Sequence, residues 1–211
     1  GEVDGQGVPA ALTLAPVHTT LRNAARALYS PGEALTQANR LLTPDLPAEN
    51  VVACVYVVLD PVTGEVAVGN AAHERPLHLG PEGAIVPIGT AGPALALAID
   101  SRYAEEAVTL APCSALVLVT PSVVDARSRA GEPFGRERLE AALANESIAG
   151  QPYTGSTGAA YAHGHPGDAH ALVQAVTTAL REHTGEEYEP SQDIAVIAIR
   201  RTRSLQQQVT V

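Results

Sequence analysis

Apolar residues recur at three- and four-residue steps over residues 8–29, where Leu14, Val17, Leu21, Ala24, Ala25 and Leu28 form one stripe. That period predicts a helix with one buried face. Pro16 interrupts it. An interior proline removes a backbone hydrogen bond and costs about 3 kcal/mol. The pattern therefore predicts either a bend or a regular part that begins near Pro16. Ser30-Pro31-Gly32-Glu33 then starts a second helix, with Ser30 as the N-cap, Pro31 at the first helical position and Glu33 completing a capping box. Leu35, Ala38, Leu41 and Leu42 supply its buried face, and Pro44 and Pro47 end it.

Beyond residue 50 the period shortens. Val51 to Leu59 is nearly all apolar and mostly β-branched. It is too short for most buried helices and suits a central strand covered on both faces. Asp60-Pro61-Val62-Thr63-Gly64 is turn chemistry. Glu65 to Gly69 alternates, with Val66 and Val68 on one face, which completes a β-hairpin. Residues 70–79 lead into a third strand, Pro81-Glu82-Gly83 turns the chain, and Ala84 to Ile88 runs back. Gly89 to Pro93 reads as a loop, Glu105 to Leu110 as a strand, Ser114 to Thr120 as a continuous apolar strand, and Phe134 to Ala144 as a short helix.

Residues 145–166 are rich in Gly, Ser, Thr and His without periodicity, and read as a long loop that is mobile or functional. Asp168 caps a helix running through Leu172, Val173, Val176 and Leu180. Arg181 and His183 favour its C-terminal dipole, and Gly185 stops it. Asp193 to Ile199 is a final strand, and the tail from Thr202 is polar. Hairpins dominate and βαβ units are scarce. This order predicts an α+β fold of antiparallel sheets with helices outside.

Composition narrows the function. The 211 residues make one domain the default. Hydrophobic residues are 45% and aromatics only 3%, so the core is built of Val, Leu, Ala and Ile. Few aromatics also argue against a stacking platform for single-stranded nucleic acid. The net charge is -10 and every strong cation is an arginine, which disfavours a nucleic-acid surface. Cys54 and Cys113 both lie in apolar, strand-like runs and read as buried small hydrophobes, with no disulfide framework and no zinc spacing. No run approaches 18 apolar residues and no signal peptide is visible, so no membrane span and a cytoplasmic setting are expected. The abrupt start at Gly1 suggests that an N-terminal region is missing.

In residues 1–12, three glycines alternate with the carboxylates of Glu2 and Asp4 and give way to a small-residue run. Glycine allows a tight turn, and a carboxylate beside such a turn can bind a hard cation. The plainer reading is an acidic, flexible terminus. Gly5 to Ala10 fits the spacing of a dinucleotide fingerprint, but no strand precedes it and no βαβ unit follows. His163, His165 and His170 can be read as a zinc or nickel site, or as a solvated loop. His73 reads as a hydrogen-bonded structural histidine.

Five stretches stand out together. They are Gly1-Glu2-Val3-Asp4-Gly5-Gln6-Gly7 with Ala10-Ala11-Leu12, Leu59-Asp60-Pro61-Val62-Thr63-Gly64-Glu65, Asn70-Ala71-Ala72-His73 with Pro76-Leu77, Val119 to Arg127 with Phe134-Gly135, and Gln192-Asp193-Ile194. Their order and spacing resemble the type 2C metal-dependent (PPM-type) protein phosphatases, in the bacterial SpoIIE/RsbU branch. The matching patterns there are GDVSGHG before AAL, LDP-x-TGE, NAGHPPPL, a YTDG stretch ending in AR and then FG, and a closing DDI. The resemblance covers residues 1–201 and leaves 202–211 as a tail. It implies an antiparallel β-sandwich flanked by helices (α-β-β-α layers), with the family's N-terminal strands missing here. It also implies two Mn2+ or Mg2+ ions that activate a water against a phosphoserine or phosphothreonine. The implied partner is a phosphorylated anti-anti-sigma-type regulator, and the domain often follows a sensor domain. A homodimer is compatible with the chain.

The departures from the family pattern fall on the implied ligands. The turn aspartate is Glu2, one methylene longer, and the Val3 carbonyl matches a backbone ligand. The TDG aspartate is Pro121, which has no ligating side chain. The first aspartate of the closing pair is Gln192, a neutral and poorer ligand, while Asp193 remains. Asp4 and Asp125 are candidate supporting carboxylates just outside Glu2, Val3 and Asp193. Two dications held by so few negative ligands would leave much charge uncompensated. The expectation is a phosphatase domain with weak or absent activity. The alternatives are a catalytically silent partner-binding or signalling module and, more remotely, an unrelated α+β binding domain.

Overall fold

The computed structural model describes residues 1–3, 7–27, 30–47, 50–149, 168–185, 188, 190 and 193–202, with the backbone alone over 7–11 and 145–149. In chain order the elements are β1 (Glu2–Val3), α1 (Gly7–Ala27), α2 (Pro31–Leu42), β2 (Val52–Leu59), β3 (Glu65–Ala71), β4 (Leu77–Leu79), β5 (Ile85–Pro87), β6 (Ala91–Gly92), β7 (Glu105–Thr109), β8 (Ala115–Val119), α3 (Pro121–Asp125), α4 (Gly135–Ala149), α5 (Ala169–Thr184) and β9 (Val196–Arg200). One sheet runs β1-β2-β3-β6 with β7 also on β3, and the other runs β5-β4-β8-β9.

The two-residue period of the strands builds the layers. Val66 and Val68 of β3 meet Leu116 of β8 in a core between the sheets, joined by Val55, Val57, Leu59, Leu118 and Ile199. The alternate residues face outward to helices. Val52, Cys54 and Ala71 pack with Val17 of α1 and Leu35, Ala38 and Leu42 of α2. Val117 and Val119 pack with Leu139 and Leu143 of α4 and Leu172, Val176 and Leu180 of α5. The result is the four-layer α-β-β-α sandwich that the sequence predicted.

Caps set the helix ends. Ser30 Oγ accepts from the Glu33 amide at 3.2 Å, and Asp168 Oδ1 accepts from the Ala171 amide at 2.7 Å. Gly185 ends α5 at φ 87°, a conformation open to glycine. α1 runs unbroken through Pro16, whose ring lies on the exposed side.

Five local expectations are corrected. Val17 and Ala24 of the predicted α1 stripe are buried, but Leu14 is 38% exposed and Thr13 takes the buried place before Val17. Leu41 points outward at 51% exposure, while Ala34 and Asn39 take places in the face of α2. Residues 145–149 continue α4 rather than starting a loop. The Gly89–Pro93 loop holds β6, which lies parallel to β3. Cys113 sits half-buried at φ 72° in the turn before β8, so only Cys54 is a core cysteine. Residues 150–167, with His163 and His165, lie outside the described residues, and His170 is exposed on α5. Among the described residues no helix is long and apolar enough to cross a membrane.

Gly69 marks where α2 rests on the first sheet. A Cβ there would stand 2.9 Å from Leu35 Cδ1 and 3.1 Å from the Pro31 carbonyl carbon. Gly69→Ala should therefore destabilise the domain by about 1–3 kcal/mol, the usual cost of overpacking. Thermal unfolding checks this, and an unchanged midpoint would mean that α2 sits loosely.

Candidate functional site

The candidate site lies at one end of the sandwich. Glu2 and Val3 of β1 pair with Ala53 and Val52 of β2. Alternation buries Val3 beneath α1 and α2 and turns Glu2 the other way. From the other sheet come the end of β8, the short helix α3 and the start of β9, in the register Val119↔Val196. That register carries Thr120, Pro121 and Ser122 alongside Asp193, Ile194 and Ala195.

Electrostatics joins the two halves. Burial pushes the Glu2 carboxyl above its usual range, and the charges of Asp125 and Asp193 push it further. The structure thus brings Glu2, Asp125, Asp193 and Pro121 to one end of the sandwich. Asp4 and Gln192 lie outside the described residues.

A raised carboxyl pKa has a definite sign for stability. The folded state holds the Glu2 proton more tightly than the unfolded chain does. Below the ordinary carboxylate range both states are protonated and no penalty exists. The penalty grows as pH rises from the ordinary value through the folded pKa, and above that it is complete. Glu2→Gln should therefore raise the unfolding midpoint at neutral pH and leave it unchanged in acid. Melting curves across pH check this, and a pH-independent difference would contradict it.

Among the described residues this corner supplies the carboxylates of Glu2, Asp125 and Asp193. Pro121 opens α3 and offers no side-chain oxygen. Among the described residues, no three of His, Cys, Asp and Glu are grouped so as to hold a metal ion. Hard cations need several oxygen ligands at once. Glu2, Asp125 and Asp193 are near enough to share charge but do not form such a group.

Hydroxyls tie this corner together, which the sequence reading did not anticipate. Ser122 Oγ donates to the Asp193 carbonyl at 2.6 Å. Thr120 Oγ1 accepts from the Ala195 amide at 3.0 Å and lies 2.9 Å from Ser122 Oγ. The signal for it was two hydroxyl residues flanking Pro121.

His73 is hydrogen-bonded through its ring as well as its backbone, with Nδ1 3.0 Å from the Glu74 carbonyl. Its amide donates to Asn70 Oδ1 at 2.9 Å, and Asn70 Nδ2 donates to the His73 carbonyl at 3.0 Å. This closed pair sets the turn after β3, where Ala72 sits at φ 56°. Burial pushes the His73 imidazole below its ordinary pKa. Glu74, next in the chain, forms an ion pair with Arg136 of α4.

The family model described as Stage II sporulation protein E (SpoIIE) matches residues 1–202. The chain belongs to the SpoIIE family. Among curated relatives, protein IcfG of Synechocystis sp. is 35% identical over 84 residues, which is 40% of this chain and 13% of IcfG. The RsbU and RsbW domains of Rv1364c from Mycobacterium tuberculosis superpose with a TM-score of 0.71 at 20% identity, over 95% of this chain and 50% of that one. The SiaA-PP2C domain of Pseudomonas aeruginosa gives 0.72 at 20% identity, over 94% of this chain and 71% of that one. At such identity these structures show the fold alone, that of PP2C phosphatase domains. This SpoIIE-family chain spans half of the Rv1364c chain and about an eighth of IcfG. With the family match, the two facing sheets set aside the reading of an unrelated α+β domain.

Proposed function

We propose that this SpoIIE-family domain is a protein serine/threonine phosphatase domain whose divalent-cation site is depleted, so that phosphomonoester hydrolysis is weak or absent. Its target in this reading is a phosphorylated regulatory protein of the anti-anti-sigma type. The observation that carries the reading is Pro121. It stands in the acidic corner beside Asp193, at the position where the resemblance implies a ligand aspartate. Solved relatives of this fold include one presoaked in manganese and one in complex with magnesium. A metal site of that kind, with Glu2, the Val3 carbonyl and Asp193 as its remaining candidates, lacks the negative charge to hold two dications firmly.

Pro121 also favours a second reading, a catalytically silent domain that binds a partner or relays a signal. Manganese titration by calorimetry, paired with phosphate release from a phosphopeptide, separates the two. Weak heat with slow, manganese-dependent release supports a depleted phosphatase. No heat and no release, with a regulator still bound, supports the silent domain. Tight manganese binding with rapid turnover would overturn both.

A further inference from the structure

Residues 120–122 and 193–195 are joined by a closed set of hydrogen bonds. The Thr120 amide donates to the Ala195 carbonyl at 3.0 Å, and the Ala195 amide returns to Thr120 Oγ1 at 3.0 Å. Ser122 Oγ donates to the Asp193 carbonyl at 2.6 Å, and Thr120 Oγ1 lies 2.9 Å from Ser122 Oγ and 3.3 Å from that same carbonyl. The protons balance. Thr120 Oγ1 accepts a hydrogen bond from the Ala195 amide and has its own O–H left to donate to Ser122 Oγ or to the Asp193 carbonyl. Ser122 Oγ donates to the Asp193 carbonyl. No donor in the set is spare.

Pro121 makes this set rigid. Its ring fixes its own φ near -65°, and the residue before a proline is held extended. Thr120 is extended here, at φ -70° and ψ 151°. The two hydroxyls therefore leave the chain on either side of a stiff joint, aimed at the strand that follows Asp193. The residue that removes a ligand also orders the groups that replace it.

We propose that Thr120 and Ser122 form a latch that holds the start of β9 against the start of α3 without a cation, and that Ser122 is the residue positioning Asp193. This rests on the depleted-site reading above, and it adds what that reading leaves open: how the corner keeps its shape. A ligand aspartate on one segment and another on the next are cross-linked only when metal is bound. A hydroxyl latch is always made. The backbone at Asp193 is then held in one place against α3 whatever the supply of manganese.

Amide hydrogen exchange at Ala195, followed in EDTA and in millimolar manganese, tests the latch on the whole chain. Exchange in the unaltered protein should be equal in the two buffers. Ser122→Ala should speed exchange at Ala195 by about five- to tenfold, the effect of one net hydrogen bond on local opening. Ser122→Thr, which keeps the hydroxyl, should restore protection. Thr120→Val keeps the shape but removes the acceptor, and should speed exchange at least as much. Unchanged exchange in both Ser122→Ala and Thr120→Val, or protection that requires manganese, would overturn the latch. Phosphate release measured on the same samples keeps the two claims apart. Rapid manganese-dependent turnover would sink the depleted site, while the exchange at Ala195 judges the latch.

Discussion

Restoring aspartate at both substituted positions, as Pro121→Asp with Gln192→Asp, should raise manganese-dependent phosphate release by about 10²–10³-fold. That is the scale on which one well-placed electrostatic group moves a turnover rate. Pro121 occupies the first turn of α3, where the amide has no helical partner, so a residue with an N–H leaves no helical hydrogen bond unmade, although the stiffness of the ring is given up. An aspartate at that point also meets the positive end of the helix dipole. Aspartate at 121 adds a negative charge to a corner already shared by Glu2, Asp125 and Asp193, and aspartate at 192 adds one next to Asp193 in the chain. Without metal, like charges so close oppose one another and should lower the unfolding midpoint. With manganese, the midpoint should recover past that of the parent chain, because a ligand bound to the native state stabilises it. Release from a phosphopeptide in manganese and in EDTA, with a melting curve in each, reads both effects. A folded double variant that gains neither turnover nor a manganese-dependent midpoint would refute the assignment of positions 121 and 192 as lost ligand sites.

The layers of this fold were legible because they depend on short-range periods. Leu116 and Leu118 face one core while Val117 and Val119 face the other, and an unbroken apolar run is what a strand covered on both sides requires. The ends of α2 and α5 were legible because Ser30 and Asp168 act on amides three residues away. Leu14 and Leu41 were misplaced for the opposite reason. Neighbouring helix positions point about 100° apart, and tertiary packing decides which residue at the edge of a stripe is buried. At Thr13 a side-chain hydrogen bond from Asn50 accompanies the choice. α3 was missed because five residues are too few to show a period, although Thr120-Pro121 is an ordinary helix opening.

The corner itself was legible only through the resemblance. Glu2, Asp125 and Asp193 are far apart in the chain, and no period links them. Their meeting depends on strand registers, Glu2 with Ala53 and Val119 with Val196, which local pattern does not specify. The hydroxyl bonds of Thr120 and Ser122 follow from that second register, so they too were out of reach. In the proposed latch, that register joins the two segments through hydroxyls.

Phe134→Ala should be the most damaging single truncation for stability, costing about 3–5 kcal/mol. For a chain of this size that lowers the unfolding midpoint by roughly 6–20 °C. Phe134 is 1% exposed and packs among Leu139, Leu143, Leu172, Val176 and Leu180. Its ring meets His183 of α5 edge-on, with centroids 5.5 Å apart. It is the one phenylalanine in the chain, and Tyr188, packed on the same core, is only partly buried. Its backbone matters as well. The Phe134 amide donates to the Ala126 carbonyl at 2.7 Å and so closes the loop that leaves α3 directly after Asp125. Truncation keeps that amide but loosens the side chain that anchors it. Phe134→Leu should recover most of the loss, since it refills the volume without the ring. Urea unfolding of the three proteins measures the differences. An alanine variant within about 1 kcal/mol of the parent would mean that α4 and α5 collapse onto the vacated space, and that the second outer core is softer than its burial implies.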